Sequence, residues 1–176
     1  MTKSEYEQAQ EFHQTFDPRI PEKPTAFSEE EALRRAEFKL EEIVEFIAAT
    51  SGKSEQTLHE GIERLHHALD KSEKKMMHKG EWGQETLVEQ VDALTDLLYF
   101  TYGSFALMGI DPTTIFTIVH EANMGKLFPD GKPHYDAQTN KVLKPENWAE
   151  DFAPEEKIKA ELNRQVKQAM RTKNHQ

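Results

Sequence analysis

The sequence predicts an all-α fold: a bundle of about five to six helices, followed by a C-terminal loop and a helical arm. Three observations carry that expectation. Apolar residues recur at helical spacing in two long stretches, and a third stretch is apolar nearly all round. Ser-x-x-Glu capping signatures open two of the helices. Strand-like alternation is absent apart from a possible short hairpin around Pro133–Leu143.

Each element follows from local chemistry. Ser4 with Glu7 forms a capping box for a first helix running to about Thr15. The stretch FDPRIPEKPT holds three prolines, which cannot continue a helix, so it reads as an extended crossing segment. Ser28 with Glu31 opens the helix Glu29–Ala49, where Ala36, Leu40, Ile43 and Ile47 repeat at helical spacing, and Gly52 supplies the stop. A third helix spans about Ser54–His78, with Leu58, Ile62, Leu65 and Leu69 on one stripe. Gly80 and Gly83 bracket a turn.

The fourth helix, about Glu85–Met108, is apolar on nearly every face and is expected at the centre of the bundle. Gly109 ends it, and Asp111-Pro112 caps a fifth helix reaching to about Lys126. The segment LFPDGKPHYDAQTNKVLKPENW is a loop with a Pro-Asp-Gly-Lys turn. Pro154 starts a last, highly charged helix, EEKIKAELNRQVKQAM, expected as a surface arm. With 176 residues, the chain is expected to form one domain, residues 1–176, with its core at about 4–148 and the arm at 149–176.

Composition narrows the function. Cysteine is absent, which excludes disulfides, a thiolate metal site and a cysteine nucleophile. The start, MTKSEYEQAQ, lacks the apolar core of a signal peptide. The longest uncharged run, Leu97–Ile110, has 14 residues, short of the roughly 20 that a membrane span needs. A cytoplasmic protein with no membrane partner is therefore expected. A net charge of −10 argues against a nucleic-acid binder, which would show a basic face. A nucleotide substrate remains compatible if metal ions invert the local field.

Two acidic patterns stand out. Glu41, Glu42 and Glu45 form E-E-x-x-E on the second helix. At about 100° per residue they fan over the side opposite Leu40, Ile43 and Ile47, as an ordinary solvated face also does. Glu89, Asp92 and Asp96 lie within roughly 60° of one another on the fourth helix. They are its only charges after Glu85, and desolvating unpaired carboxylates costs several kcal/mol each. A partner on another helix or a metal must supply the compensation, and all-oxygen ligation suits Mg2+, with Mn2+ possible. Asn123, Lys126, Lys132 and Lys144 surround a glycine-containing loop and read as phosphate contacts or as surface residues. Phe12, His13 and Phe16 read as packing residues or as a shelf for a nucleobase.

The order of these motifs resembles the metal-binding signature of the all-α nucleoside triphosphate pyrophosphohydrolases, the superfamily of MazG, dimeric dUTPases and phosphoribosyl-ATP pyrophosphohydrolase. Arg35 and Leu40 before the glutamates, and DALTDLLYFTYG after the second motif, agree with it. HEANMGKLFPDGKPHYDAQTNKVLKPENW is similar to the Asn-Met-x-Lys, Asp-Gly-Lys and Lys-x-x-Lys-Pro tail of phosphoribosyl-ATP-pyrophosphohydrolase-like members, and EFHQTF to their leading helix. The chain departs from the compact members between the motifs, where 43 residues and a full extra helix separate Glu45 from Glu89.

The resemblance implies a MazG-like bundle that hydrolyses a nucleoside triphosphate to the monophosphate and pyrophosphate. Its implied metal ligands are Glu41, Glu42, Glu45, Glu89 and Asp92, with Asp96 binding directly or in support. One glutamate of the first cluster, Glu42 or Glu45, is the implied general base, and Asn123 and Lys126 would hold the phosphate chain. A homodimer or dimer of dimers is implied, as is house-cleaning of dUTP or another unwanted nucleotide. Two rivals stand beside this reading: a phosphoribosyl-ATP hydrolase of histidine biosynthesis, and a non-enzymatic helical interaction protein with a structural cation site.

Overall fold

A computed structural model describes residues 3–17, 19–139 and 141–173. The expected class holds: among the described residues there are six helices of 12 residues or more, one single-turn helix and no strand. They are α1 (Glu5–Phe16), α2 (Glu29–Thr50), α3 (Glu55–Lys79), α4 (Thr86–Met108), α5 (Thr113–Met124), the turn α6 (Trp148–Asp151) and α7 (Glu155–Lys173). The chain divides into two compact units. One is drawn from residues up to Glu22 and from Leu97 onward, the other from Lys23–Asp96.

The caps do what the sequence asks. Ser4 Oγ accepts from Glu7 N–H while the Glu7 carboxylate accepts from Ser4 N–H at 2.7 Å, a reciprocal pair that satisfies two otherwise orphaned donors. Ser28 Oγ accepts from Glu31 N–H, but the Glu31 carboxylate turns to the guanidinium groups of Arg34 and Arg35. Charge assistance makes those bonds stronger than a return to the cap. Gly80, at φ 66°, closes α3 in the left-handed conformation, where a Cβ would be strained.

In the first unit, α5 is the middle layer, with α1 packed on one side and α7 on another. Phe16 and Ala122 are its most buried apolar residues, at 3% and 4% exposure. Phe12 stacks on Phe16 with ring centroids 4.4 Å apart. Glu11 bridges the layers, meeting Lys3 at 2.6 Å and His120 at 3.1 Å, and these bonds hold its pKa below the usual carboxylate range. The expected hairpin appears as one antiparallel bridge, Tyr135–Val142, and Tyr135 Oη donates to the Phe16 carbonyl at 2.6 Å. Asn140, inside that hairpin, lies outside the described residues.

The last helix is packed rather than projecting. Gln165 accepts from Asp111 N–H at 3.0 Å and donates to the Asp111 carbonyl at 2.9 Å, pinning α7 to the start of α5. Glu161, buried at 8% exposure, takes two bonds from Arg164 and one from Gln165. The Arg164 guanidinium, foremost, lowers the Glu161 pKa to about 2.

In the second unit α2 packs on α3. The start of α4 is tied to the start of α2 by a second carboxamide clasp: Gln90 accepts from Phe27 N–H at 2.9 Å and donates to the Phe27 carbonyl at 3.1 Å. Here the structure departs from expectation. Among the described residues, no other helix packs on α4 within either unit. Most of its large apolar side chains are exposed, Tyr99 at 76%, Phe100 at 69% and Leu107 at 92%, while Leu87 and Phe105 are half-buried.

The Glu161 network predicts an acid limb of stability. A carboxylate with a lowered folded pKa contributes stability that is full above its unfolded value of 4.5 and fades as pH falls toward about 2. Glu161→Gln should therefore flatten the fall in chemical-denaturation midpoint between pH 5 and 2.5, relative to wild type. An identical pH profile for the two proteins would contradict it.

Candidate active site

The helix that carries Glu41, Glu42 and Glu45 exposes all three. They sit midway along α2, where exposure lets a carboxylate be solvated at little cost. Asp92 and Asp96 are likewise exposed on α4.

Glu89 has another job. Its carboxylate accepts from the backbone N–H groups of Gly83, Gln84 and Glu85 at 2.7, 3.0 and 3.1 Å. These donors, Gly83 foremost, hold its pKa below the usual range. The side chain thus reaches back one turn to neutralise the exposed amides at the head of α4. The sequence gives no sign of this, because nothing in E-x-x-D distinguishes a ligand from a cap.

Whether these six acids fit a divalent ion in one chain can be tested on geometry. Among the described residues, no group of three or more Asp, Glu or His side chains is close enough to hold a metal. The Gln90–Phe27 clasp explains why. It fixes the heads of α2 and α4 together, and at 1.5 Å rise per residue Glu41 lies about 18–20 Å along α2 from that point. Asp92 lies only about 3 Å along α4 from it, so no rotation about the clasp lets Asp92 or Glu89 share an ion with Glu41, Glu42 or Glu45. The donor chemistry suits Mg2+, but the single-chain arrangement does not.

The other expected residues lie in the first unit, at the C-terminal end of α5. Lys126 Nζ donates to Asn123 Oδ1 at 2.7 Å, so these two expected residues are brought together. Lys144 is placed by an aromatic ring: its ammonium lies 3.7 Å from the centroid of Trp148, whose indole N–H donates to the Ala122 carbonyl at 2.8 Å. Ala122 directly precedes Asn123, so Trp148 carries Lys144 to the same end of α5. Only the motif KPENW hinted at that role, as its final letter.

Lys132 is exposed in the Phe128–Lys132 turn, where its N–H donates to Asp130 and its carbonyl accepts from Phe128. Phe12 is stacked on Phe16 and meets His13 edge-on at 5.7 Å, so packing already engages the proposed base shelf. Beside the same helix end, an open concavity of about 430 Å³ is lined by Glu121, Met124, Leu127, Asp151, Phe152 and Lys157. Gly125 forms part of its wall and is buried against Phe152, where any Cβ would overlap the ring.

An all-α architecture with E-E-x-x-E on α2, E-x-x-D on α4 and an Asn-Lys pair closing α5 defines the all-α NTP pyrophosphohydrolase class, and the comparisons agree. The chain belongs to the phosphoribosyl-ATP pyrophosphohydrolase family, whose sequence model matches residues 9–123. It is similar to a protein from Exiguobacterium sp. 255-15, provisionally described as an NTP pyrophosphohydrolase, whose crystal structure was determined at 1.78 Å resolution. The two are 38% identical, the match covers 96% of this chain and 99% of that one, and the TM-score is 0.84. No curated protein matches the chain. The protein is thus a hydrolase of phosphoric anhydrides, a nucleotide pyrophosphohydrolase, and the non-enzymatic alternative falls away. No helix among the described residues is long and apolar enough to cross a membrane.

The Gly125–Phe152 contact is a sensitive point of this region. Gly125→Ala should cost about 1–3 kcal/mol, the range for forcing an extra group into a packed site. That corresponds to a fall in Tm of a few degrees for a chain of this length. Thermal unfolding that matches wild type would show that Phe152 moves aside freely.

Proposed function

We propose that the protein hydrolyses a (deoxy)nucleoside triphosphate to the monophosphate and pyrophosphate, with dUTP or another non-standard nucleotide as a house-cleaning substrate. The observation that carries this reading is the 38% identity, along nearly the whole of both chains, to the Exiguobacterium NTP pyrophosphohydrolase. The second reading, hydrolysis of phosphoribosyl-ATP, is favoured by the description of the family model that matches residues 9–123. Both break the bond between the α- and β-phosphates, and they differ in what lies beyond the α-phosphate.

In the proposed reaction a water attacks the α-phosphorus and pyrophosphate leaves. Glu42 or Glu45 takes the proton from that water as general base. Both side chains are exposed midway along α2, open to an approaching water. Asn123 and Lys126 hold the phosphate chain, with Lys132 and Lys144 adding positive charge. Mg2+, or Mn2+ in its place, is the proposed cofactor, and the cytoplasm the proposed site of action. A homodimer or dimer of dimers is the proposed assembly, supported by the outward-facing apolar side chains of α4.

Incubation with Mg2+ and a panel of nucleotides, followed by pyrophosphate assay, separates the two readings. Turnover of dUTP or another triphosphate, with phosphoribosyl-ATP left intact, supports the first. The reverse pattern supports the second.

The role of Lys126 can be measured separately. Lys126→Ala removes one charge-assisted contact, worth about 1.5–3 kcal/mol, so KM should rise roughly ten- to hundredfold. The rise should be equal for two different bases, because the contact is to phosphate. Wild-type KM for both nucleotides would remove Lys126 from the site.

Glu42→Gln keeps shape and deletes the base, so turnover should fall at least a hundredfold while helicity by circular dichroism stays unchanged. Full turnover in this variant would shift the role to Glu45.

A further inference from the structure

Packing engages Phe12 and His13, but a second aromatic pair in the same unit, Phe128 and His134, keeps a ring face open. We propose that the outer face of the His134 imidazole is the platform on which the base of the nucleotide stacks, with Lys132 beside it for the phosphates. The inference deepens the pyrophosphohydrolase reading and rests on its claim that the substrate is a nucleotide.

The His134 ring lies on the Phe128 ring almost in parallel, with centroids 4.0 Å apart and planes 9° from each other. One face of the imidazole is therefore covered, yet 45% of the side chain is exposed. That exposure belongs to the other face and to the ring edge. Phe128 is half-buried and anchors the inner side of the pair. A base laid on the outer side continues the stack that Phe128 begins, and stacking accepts any base because every base has a π-face.

The loop holds this ring in place. Asp130 has its pKa lowered, by His134 foremost, so its carboxylate is ionised and can only accept. His134 Nε2–H donates to it at 2.9 Å and fixes the rotation of the imidazole. The His134 carbonyl accepts from Leu143 N–H at 2.8 Å across the hairpin. Phe128 N–H donates to the Lys132 carbonyl at 3.1 Å and Gly131 N–H to the Phe128 carbonyl at 2.8 Å, which closes the turn that sets Phe128 against His134. Gly131 permits that turn by taking φ 73°. A histidine that served only to pair with Asp130 could do so without lying parallel to a second ring. A ring already held in its binding orientation costs little further entropy when a base lands on it.

Charge completes the platform. Lys132 is two residues from His134, so their Cα atoms are at most about 7 Å apart, and its exposed ammonium sits on a flexible stem. The acid in the same turn does not spend that cation, because its two oxygens accept from His134 and from the Lys132 backbone N–H at 3.0 Å. A ring face and a cation thus stand on one short loop, which is the pairing that a nucleotide presents in reverse.

The test is titration calorimetry with non-hydrolysable α,β-imido analogues of dUTP and dATP, set beside inorganic tripolyphosphate, which has no base. His134→Ala should weaken both nucleotides roughly five- to hundredfold, the purine more than the pyrimidine, and leave tripolyphosphate affinity unchanged. His134→Phe restores a stacking ring without the Asp130 bond and should bind all three ligands nearly as the wild type does. Lys132→Ala should weaken all three alike. Wild-type nucleotide affinity in His134→Ala would overturn the inference. Equal weakening of nucleotides and tripolyphosphate in that variant would overturn it too, since the ring would then only shape the turn that carries Lys132. Failure of His134→Phe to recover nucleotide binding, in a variant whose Tm matches wild type, would do the same. Absence of nucleotide binding by the wild type would overturn the inference together with the reading beneath it. Nucleotide binding that follows this pattern, with no turnover of any nucleotide in Mg2+, would overturn that reading alone.

Discussion

The side-chain amide of Gln90, bonded to both backbone groups of Phe27, sets the relation between the two helices that carry the acidic motifs. A carboxamide has one donor face and one acceptor face, so it can replace a strand neighbour for a single residue of extended chain. The extended residue is available because the proline-rich crossing segment leaves its backbone groups unpaired by any helix. Gln165 uses the same device on Asp111, joining α7 to the head of α5. Helices of modest apolar burial are thus positioned by directional bonds at their heads. Such bonds fix a pivot and leave the rest of each helix free to be covered by something else.

Charge follows the same economy. Where a carboxylate has a structural role, a local donor neutralises it: Glu161 by Arg164, Glu11 by Lys3 and His120, and Glu89 by three backbone N–H groups. Glu42, Glu45, Asp92 and Asp96 are solvated instead. That division separates acids that complete the fold from acids left available to a ligand. Glu89 belongs to both sets, since its carboxylate has about four lone-pair directions and three of them are taken. Any role for Glu89 beyond the head of α4 therefore competes with the turn at Gly83–Glu85.

Much of this was legible in the sequence. The Ser4–Glu7 box, the left-handed Gly80 and the hairpin around Tyr135 and Val142 came from local chemistry, which a single chain states in full. Asn123 and Lys126 were singled out through the family resemblance, and the hydrogen bond between them is added by the structure. The one-turn α6 was not foreseen, and neither was the service of Trp148 as a platform for Lys144, because both depend on the loop folding back onto Ala122. The placing of α4 at a bundle centre was right about its chemistry, but among the described residues no helix packs on it within either unit. All-round apolarity says that a helix will be covered, but not by whose residues.

The charge balance gives that last point its weight. Lys23–Asp96 contains 17 acidic and 10 basic residues, a net −7 of the total −10, and all six acids of the two motifs lie in it. A triphosphate, itself strongly anionic, is repelled by such a segment. The lysines that could attract it, Lys126, Lys132 and Lys144, belong to the other unit. A hydrolase that activates water can use acids in such a segment. A carboxylate can take the proton of an attacking water as a general base.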